Sequence, residues 1–300
     1  MGMTSIAGGQ EKHHYLATQS FDLQLRNTYL SPNKRLRNEV PTHSILTMSR
    51  GDEYRIADWM KYHFTIGFTE FNLILDNPID RTEQVARRVA EEWGMTLRVD
   101  TIGPDGEYYD GLANEERWNR VQQWRRENLD VIARLGLPIV DPLSMRQYKH
   151  FPAALKRFQT RGPECWLALI DVDEYIAIPG TKDIASLTQG ATSPRLRLLN
   201  FNFNTEGWNT QSNVREFTRR WARDDIEAFG NGWENRVKTI ARCDRLVPLV
   251  SVHAITLGSF QIVPPTVARL HHYKYPEQGV NIPYAIHDET IAPNRFRLDQ

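Results

Sequence analysis

The sequence predicts an α/β protein: a mostly parallel sheet in its first half and a smaller mixed sheet in its second. Three observations carry this. Short apolar runs alternate with amphipathic helical stretches from about residue 41 to residue 178, the order expected of right-handed β-α-β units. One run, residues 166–178, is apolar almost throughout and is bounded by Gly162-Pro163 and Pro179-Gly180, as a fully buried strand would be. After about Leu187 the texture changes to near-alternation, as in Arg195-Leu-Arg-Leu-Leu-Asn-Phe-Asn-Phe203, which suits an antiparallel strand.

Residues 1–40 are polar, with Gly8-Gly9 and the basic run Lys34-Arg-Leu-Arg, and form an N-terminal extension to which no chemistry is assigned. Residues 44–48 predict the first strand. Ile56, Trp59, Met60, His63 and Phe64 then recur at helical spacing, with the helix ending near Gly67. Residues 71–75 predict a second strand. Asp80-x-x-Glu83 reads as a capping box that opens a helix carrying Val85, Val89 and Trp93 and closing at Gly94. Residues 96–99 predict a third strand. Residues 112–135 predict one long helix with Trp118, Val121, Leu129 and Ile132 inward, and residues 147–158 another that is started or broken at Pro152. Short strands follow around Thr239 and Val250. The division is 41–187 for one half and 188–300 for the other half of the same domain.

Composition excludes several classes. Lys+Arg and Asp+Glu are equal at 37 each, so no global field favours nucleic acid or an anionic membrane. No apolar stretch approaches the ~20 residues needed to span a bilayer. The N-terminus carries no basic segment followed by an apolar one, and a cytoplasmic chain is expected. Two cysteines, Cys165 and Cys243, do not make a disulfide framework. Eight tryptophans lean weakly towards a sugar-binding surface, where indole rings stack.

The chemistry concentrates at Asp171-Val-Asp173-Glu174. Residues i and i+2 of a strand share a face, so Asp171 and Asp173 are expected side by side where an apolar strand ends. Two such carboxylates repel and lose hydration unless a cation lies between them, and hard oxygen ligands favour Mg²⁺ or Mn²⁺. The bland reading is a pair of acids capping a turn or pairing with arginines; the apolar lead-in argues against it. Ligands of open α/β sheets bind beyond the carboxyl ends of the strands, where Arg50 and Asp76 also fall.

Four blocks in order carry a family resemblance: Ser49-Arg50-Gly51-Asp52-Glu53 followed by Ala57-Asp58-Trp59-x-x-Tyr62-His63-x-x-x-Gly67; Phe71-x-Leu-Ile-Leu-Asp76-Asn77; Trp166-x-x-x-x-Asp171-Val-Asp173-Glu174-Tyr175; and Leu270-His271-His272-Tyr273. Over residues 44–275 the chain resembles GT-A-type glycosyltransferases of the family-2 and family-92 kind. Gly51-Asp52 departs from the Asn usual there, and the acceptor loop motif survives only as Phe201-x-Phe203-Asn-Thr-Glu-Gly207. The resemblance implies a Rossmann-like, mostly parallel sheet with a smaller mixed acceptor-side sheet. It implies a nucleotide-diphosphate sugar donor, a carbohydrate or other hydroxyl acceptor, and Mn²⁺ or Mg²⁺.

On this reading Asp171 and Asp173 hold the metal, with His253 or His272 as a further ligand; either histidine would otherwise be an ordinary core residue. Arg50 and Asp76 would meet the nucleotide, and Glu53 would hold Arg50 in place or cap the helix. Inverting transfer needs a general base; Glu206 and Glu216 are the leading carboxylates, followed by Asp224, Asp225 and Glu234. Trp208 and Trp233 would stack on an acceptor sugar or fill the core. Two other classes compete: an aspartate-based phosphatase, and a catalytically silent carbohydrate-binding protein of the same fold. The phosphatase would place the motif near the N-terminus and a Thr or Val where Tyr175 stands.

Overall fold

The structure is a computed structural model. It describes residues 41–136, 141–180, 183–228, 237–246, 259–274 and 281–293, all within the compact unit Glu39–Gln300. Strands and helices are numbered in chain order. Strands β1 (Thr42–Ser49), β2 (Glu70–Asp76), β3 (Thr96–Ile102) and β4 (Cys165–Leu169) lie in the order β3-β2-β1-β4, all parallel. Helix α1 (Ile56–Thr65) links β1 to β2, and α2 (Thr82–Trp93) links β2 to β3.

The sheet continues beyond β4. Strand β8 (Val237–Arg242) is antiparallel to both β4 and β6 (Arg195–Asn202). Strand β10 (Arg269–His272) runs parallel to β6, and β5 (Glu174–Ala177) is antiparallel to β10 at the far edge. The short β9 (Gln261–Ile262) also pairs with β6. Among the described residues the main sheet therefore holds nine strands, mostly parallel, and the expected α/β class is met. The second sheet is small: β7 (Arg219–Arg220) with β11 (Ile286–His287), antiparallel.

Both faces of the central strands are covered, as in sheets with helical crossovers. Alternate residues feed two apolar clusters: Ile45 of β1 with Trp166 and Ala168 of β4 on one side, and Leu46, Met48, Leu167 and Leu169 on the other. The second cluster packs under α5 (Pro142–Gln159) through Phe151, Leu155 and Phe158. Helix α5 opens on Asp141, whose carboxylate accepts from Ser144 N at 2.8 Å, with Pro142 in the first turn. Pro152 lies inside α5, which runs through it rather than starting there.

Several local expectations are corrected. Residues 166–178 are not one strand: β4 stops at Leu169, a turn carries Asp171 and Asp173, and β5 begins at Glu174 with a different partner. The two aspartates are therefore neighbours on a turn, not on a strand face. The predicted helix over 112–135 divides at Asn128 into α3 (Asn114–Glu127) and α4 (Leu129–Leu135). Only Val121 of its supposed inward set is buried; Trp118 is 37% exposed and Leu129 63%. This stretch is so polar that no strong apolar stripe pulls it onto the core. Asp80-x-x-Glu83 is not a capping box either. Asp80 accepts from the backbone and hydroxyl of Thr82 and from Glu53 N, while Glu83 pairs with Arg87. Strand β6 is antiparallel to β8 but parallel to β9 and β10, so the second half mixes both senses. The strand expected near Val250 lies outside the described residues.

The packing differences are measurable. Trp59→Ala, which empties a fully buried site, should cost about 3–5 kcal/mol in urea denaturation, whereas Trp118→Ala should stay within about 0.5 kcal/mol of the parent.

Candidate active site

The turn between β4 and β5 carries Asp171 and Asp173 beyond the carboxyl end of a central parallel strand, the position from which open α/β sheets address ligands. Its far side is held by α1. Trp59 Nε1 donates to Glu174 O at 2.8 Å, Tyr62 OH donates to Ile176 O at 2.8 Å, and Ile176 N donates to His63 Nε2 at 3.3 Å. These side chains satisfy the outer edge of β5, which would otherwise leave buried backbone groups unpaired. His63 is fully buried, its Nδ1 is bonded to Trp59 O, and burial lowers it to about 3 despite that bond, so it is a neutral core histidine. On the other edge Tyr273 N donates to Asp173 O at 2.9 Å, which ties the turn to the end of β10.

The charged groups form one connected chain. Lys238 of β8, only 2% exposed, places Nζ 2.6 Å from Asp171 Oδ2 and 3.2 Å from Glu174 Oε2. Glu174 also accepts from Asp171 N at 2.9 Å and from Asn200 Nδ2 at 3.0 Å. Asn200 Nδ2 reaches His272 Nδ1 at 3.2 Å, and His272 Nε2 stands 3.5 Å from Asp173 Oδ2. Arg55, at the start of α1, lies 3.9 Å from Asp173 and 3.4 Å from Asp52.

The electrostatics follow from burial and neighbours. Burial alone would raise Asp173, but His272, Arg55 and Lys238 together hold it well below the usual carboxylate range. Its neighbours go the other way. Burial pushes Glu174 up to about 7, with Asp171 and Asp173 adding to the rise and Lys238 and His272 opposing it. Burial pushes Asp52 up to about 6 against Arg55 and Ser49. Lys238 is held above its ordinary value by Asp171 and Glu174 despite its own burial. Asp173, a quarter exposed against 37% for Asp171, is thus a half-buried carboxylate kept ionised by its cationic neighbours.

Among the described residues no group of three or more His, Cys, Asp or Glu side chains is arranged to hold a metal ion. His272 is held with Nδ1 on Asn200 and Nε2 towards Asp173. His253, the other expected ligand, lies outside the described residues, as do Trp233 and Glu234.

Arg50 and Asp76 do come together. Arg50 donates to the backbone oxygens of Asp76 and Asn77 and pairs with Asp110. The Asp76 carboxylate is buried, accepting from Arg146 Nε at 2.6 Å and Tyr108 OH at 2.9 Å. Glu53 does not touch Arg50; it accepts from the backbone N of Arg81 at 2.9 Å and from its side chain, at the start of α2. Glu206 and Glu216 are both exposed. Trp208 packs on Tyr54 with ring centroids 5.0 Å apart, and Arg55 lies 5.6 Å from its ring, so the Glu206 loop reaches the α1 end of the acid cluster. Glu216 ends a 3₁₀ turn anchored by Arg215, whose guanidinium bonds Asp58 at 2.5 and 2.8 Å.

Sequence reasoning missed Lys238, Arg55, Asp52, Arg146 and Tyr108. A signal existed for the first: Val237-Lys-Thr-Ile-Ala241 sets one lysine inside an apolar strand, where it must find a carboxylate.

No protein-family model matches the chain, and no curated protein matches it at significant similarity. Solved structures similar to it include glucosyl-3-phosphoglycerate synthase from Mycobacterium tuberculosis in complex with Mn²⁺, UDP-glucose and glycerol 3-phosphate. That pair shows 14% identity, 69% of this chain and 58% of the other covered, and a TM-score of 0.31. Another structure of the same synthase matches at 12% identity, 80% and 74% coverage and a TM-score of 0.36. S. aureus TarS matches at 14% identity, 78% and 37% coverage and a TM-score of 0.38. The chain spans less than two thirds of the first of these proteins.

Lys238→Met should destabilise the fold by about 3–5 kcal/mol, because Glu174 is left buried without its cation; denaturation at neutral pH measures it. Asp52 has the opposite kind of titration. A carboxyl raised in the folded state adds stability below its unfolded value, and that stability is lost as pH rises through the folded value. Stability should therefore fall between about pH 4 and 6, and Asp52→Asn should flatten that stretch of the curve of denaturation midpoint against pH.

Proposed function

We propose that the chain is a metal-dependent glycosyltransferase that moves a sugar from a nucleotide-diphosphate sugar to a hydroxyl acceptor, with inversion. The observation that carries this is the Asp171–Asp173 turn. It presents an ionised, half-buried carboxylate at the carboxyl end of a parallel sheet, with Arg55 and His272 around it.

The donors for a divalent cation would be Asp173, a carboxylate held charged without one, and Asp171 two residues away, with His272 Nε2 3.5 Å from Asp173 as the imidazole within reach. Hard oxygen donors with one imidazole suit Mn²⁺ or Mg²⁺, and the few protein ligands leave positions for phosphate oxygens. A cation bound there would offset the negative charge that grows on the departing diphosphate. Arg55 adds a second positive group beside the same carboxylate. Lys238 fixes Asp171 through a 2.6 Å ion pair and offsets part of the repulsion between the acids of the turn.

The acceptor must attack from the side opposite the leaving group, so its base cannot be a metal ligand. Glu206 is the better candidate for this role. Its loop carries Trp208, packed on Tyr54 beside Arg55, and it is unburdened by burial. Glu216 is the second candidate, on a turn fastened to α1 by the Arg215–Asp58 pair. Trp208 offers an aromatic surface for a sugar ring between these two segments.

Asp173→Asn should abolish Mn²⁺-dependent binding of UDP and GDP in a calorimetric titration while leaving the thermal transition in place; unchanged affinity would sink the assignment. For the base, Glu206→Gln should leave donor binding intact and lower transfer roughly 10²–10⁴-fold. If donor consumption by that variant equals the parent's, the role passes to Glu216, tested the same way.

A further inference from the structure

Resting on the nucleotide-sugar reading above, we propose that the loop over residues 103–113 occupies the nucleotide-base position and must leave it before donor binds, making Tyr108 an internal competitor of the base. The ring of Tyr108 lies against two guanidinium groups: Arg50 Cζ is 4.1 Å and Arg146 Cζ 4.3 Å from its centroid. Its hydroxyl donates to the buried Asp76 carboxylate at 2.9 Å. A planar π-system over cationic groups, with a donor reaching a buried carboxylate at the carboxyl ends of β1 and β2, is what a pyrimidine or purine with a ring N–H would present there.

The rest of the loop repeats the mimicry in charge. Asp105 pairs with Lys149 at 2.7 Å and stands 3.5 Å from His150, and Asp110 pairs with Arg50. Arg146 donates to the backbone oxygens of Asp105 and Glu107 at 3.2 and 3.0 Å. Acids and a ring of this chain thus cover Arg50, Arg146, Lys149 and His150, the cationic groups around the base position. Arg146, Lys149 and His150 sit at i, i+3 and i+4 of α5, on one helical face. The covering is displaceable. Each of its ion pairs has one partner open to solvent, Asp110 at 43% against Arg50 at 15% and Lys149 at 63% against Asp105 at 35%, and pairs reached by solvent contribute less than buried ones. Gly106 and Gly111, with φ of 76° and 74°, bracket Tyr108 with backbone that only glycine adopts readily.

The test titrates the full chain with UDP and with GDP, each with Mn²⁺, by isothermal calorimetry. A site open in only part of the population binds more weakly by that fraction. Tyr108→Ala should therefore bind one of the nucleotides about tenfold more tightly than the parent, and Asp110→Asn, an exposed change that leaves the core untouched, should move in the same direction. In the parent, nucleotide should speed amide exchange over residues 105–110. Unchanged or weaker binding by both variants, or slower exchange in the loop, overturns the proposal while leaving the transferase reading in place, since the parent still binds. Failure of the parent and both variants to bind either nucleotide overturns the two together.

Discussion

A lysine with no access to water, Lys238, is the interaction on which the rest of the site depends. An ammonium group is tolerated in a protein interior only if carboxylates meet it, and the reverse holds for Glu174. The two are placed by different strands: Lys238 by β8, Glu174 by the first position of β5. Their pairing fixes where β5 can begin and hence how tightly the chain turns between Leu169 and Glu174. Asp171 is drawn to the same cation, while Asp173 is met by Arg55 and His272 instead.

The second constraint is the edge of β5. An edge strand inside a protein needs partners for its outer backbone groups, and α1 supplies them with Trp59, Tyr62 and His63. The same helix begins with Arg55, beside Asp173. A helix that seals a strand with one face therefore delivers a cation to the acids from its first turn. The block of residues around Trp59, conspicuous in the sequence, is scaffolding, and the chemistry lies at its margin.

The first four strands and two crossover helices were legible because their apolar periodicity is local. The pair of aspartates was legible too, since an apolar run ending in acids is unusual in itself. Their placement on a turn was not, because apolar residues continue on both sides and only the change of partner, from β1 and β8 to β10, reveals the break. Periodicity also misled over 112–135, where Trp118 and Leu129 have helical spacing but the surrounding polarity keeps them at the surface. Asp76 was placed correctly at a strand end, yet its partners Tyr108 and Arg146 come from 32 and 70 residues further along. No local pattern carries such distances.

The crossing from β4 to β5 also has a consequence for the order of assembly. Among the described residues strand β5 pairs only with β10, whose His272 lies opposite Glu174. Its cation arrives with β8, 64 positions after Glu174 in the sequence. A chain growing from its N-terminus can form β1 to β3 from near neighbours and then close β4 onto β1, with Arg55 already beside Asp173, but it lacks the cation for Asp171 and Glu174 until β8 docks. Closing such long loops is slow, since their entropy is lost before the contacts form. The acid turn is therefore completed only once β8 and β10 have docked.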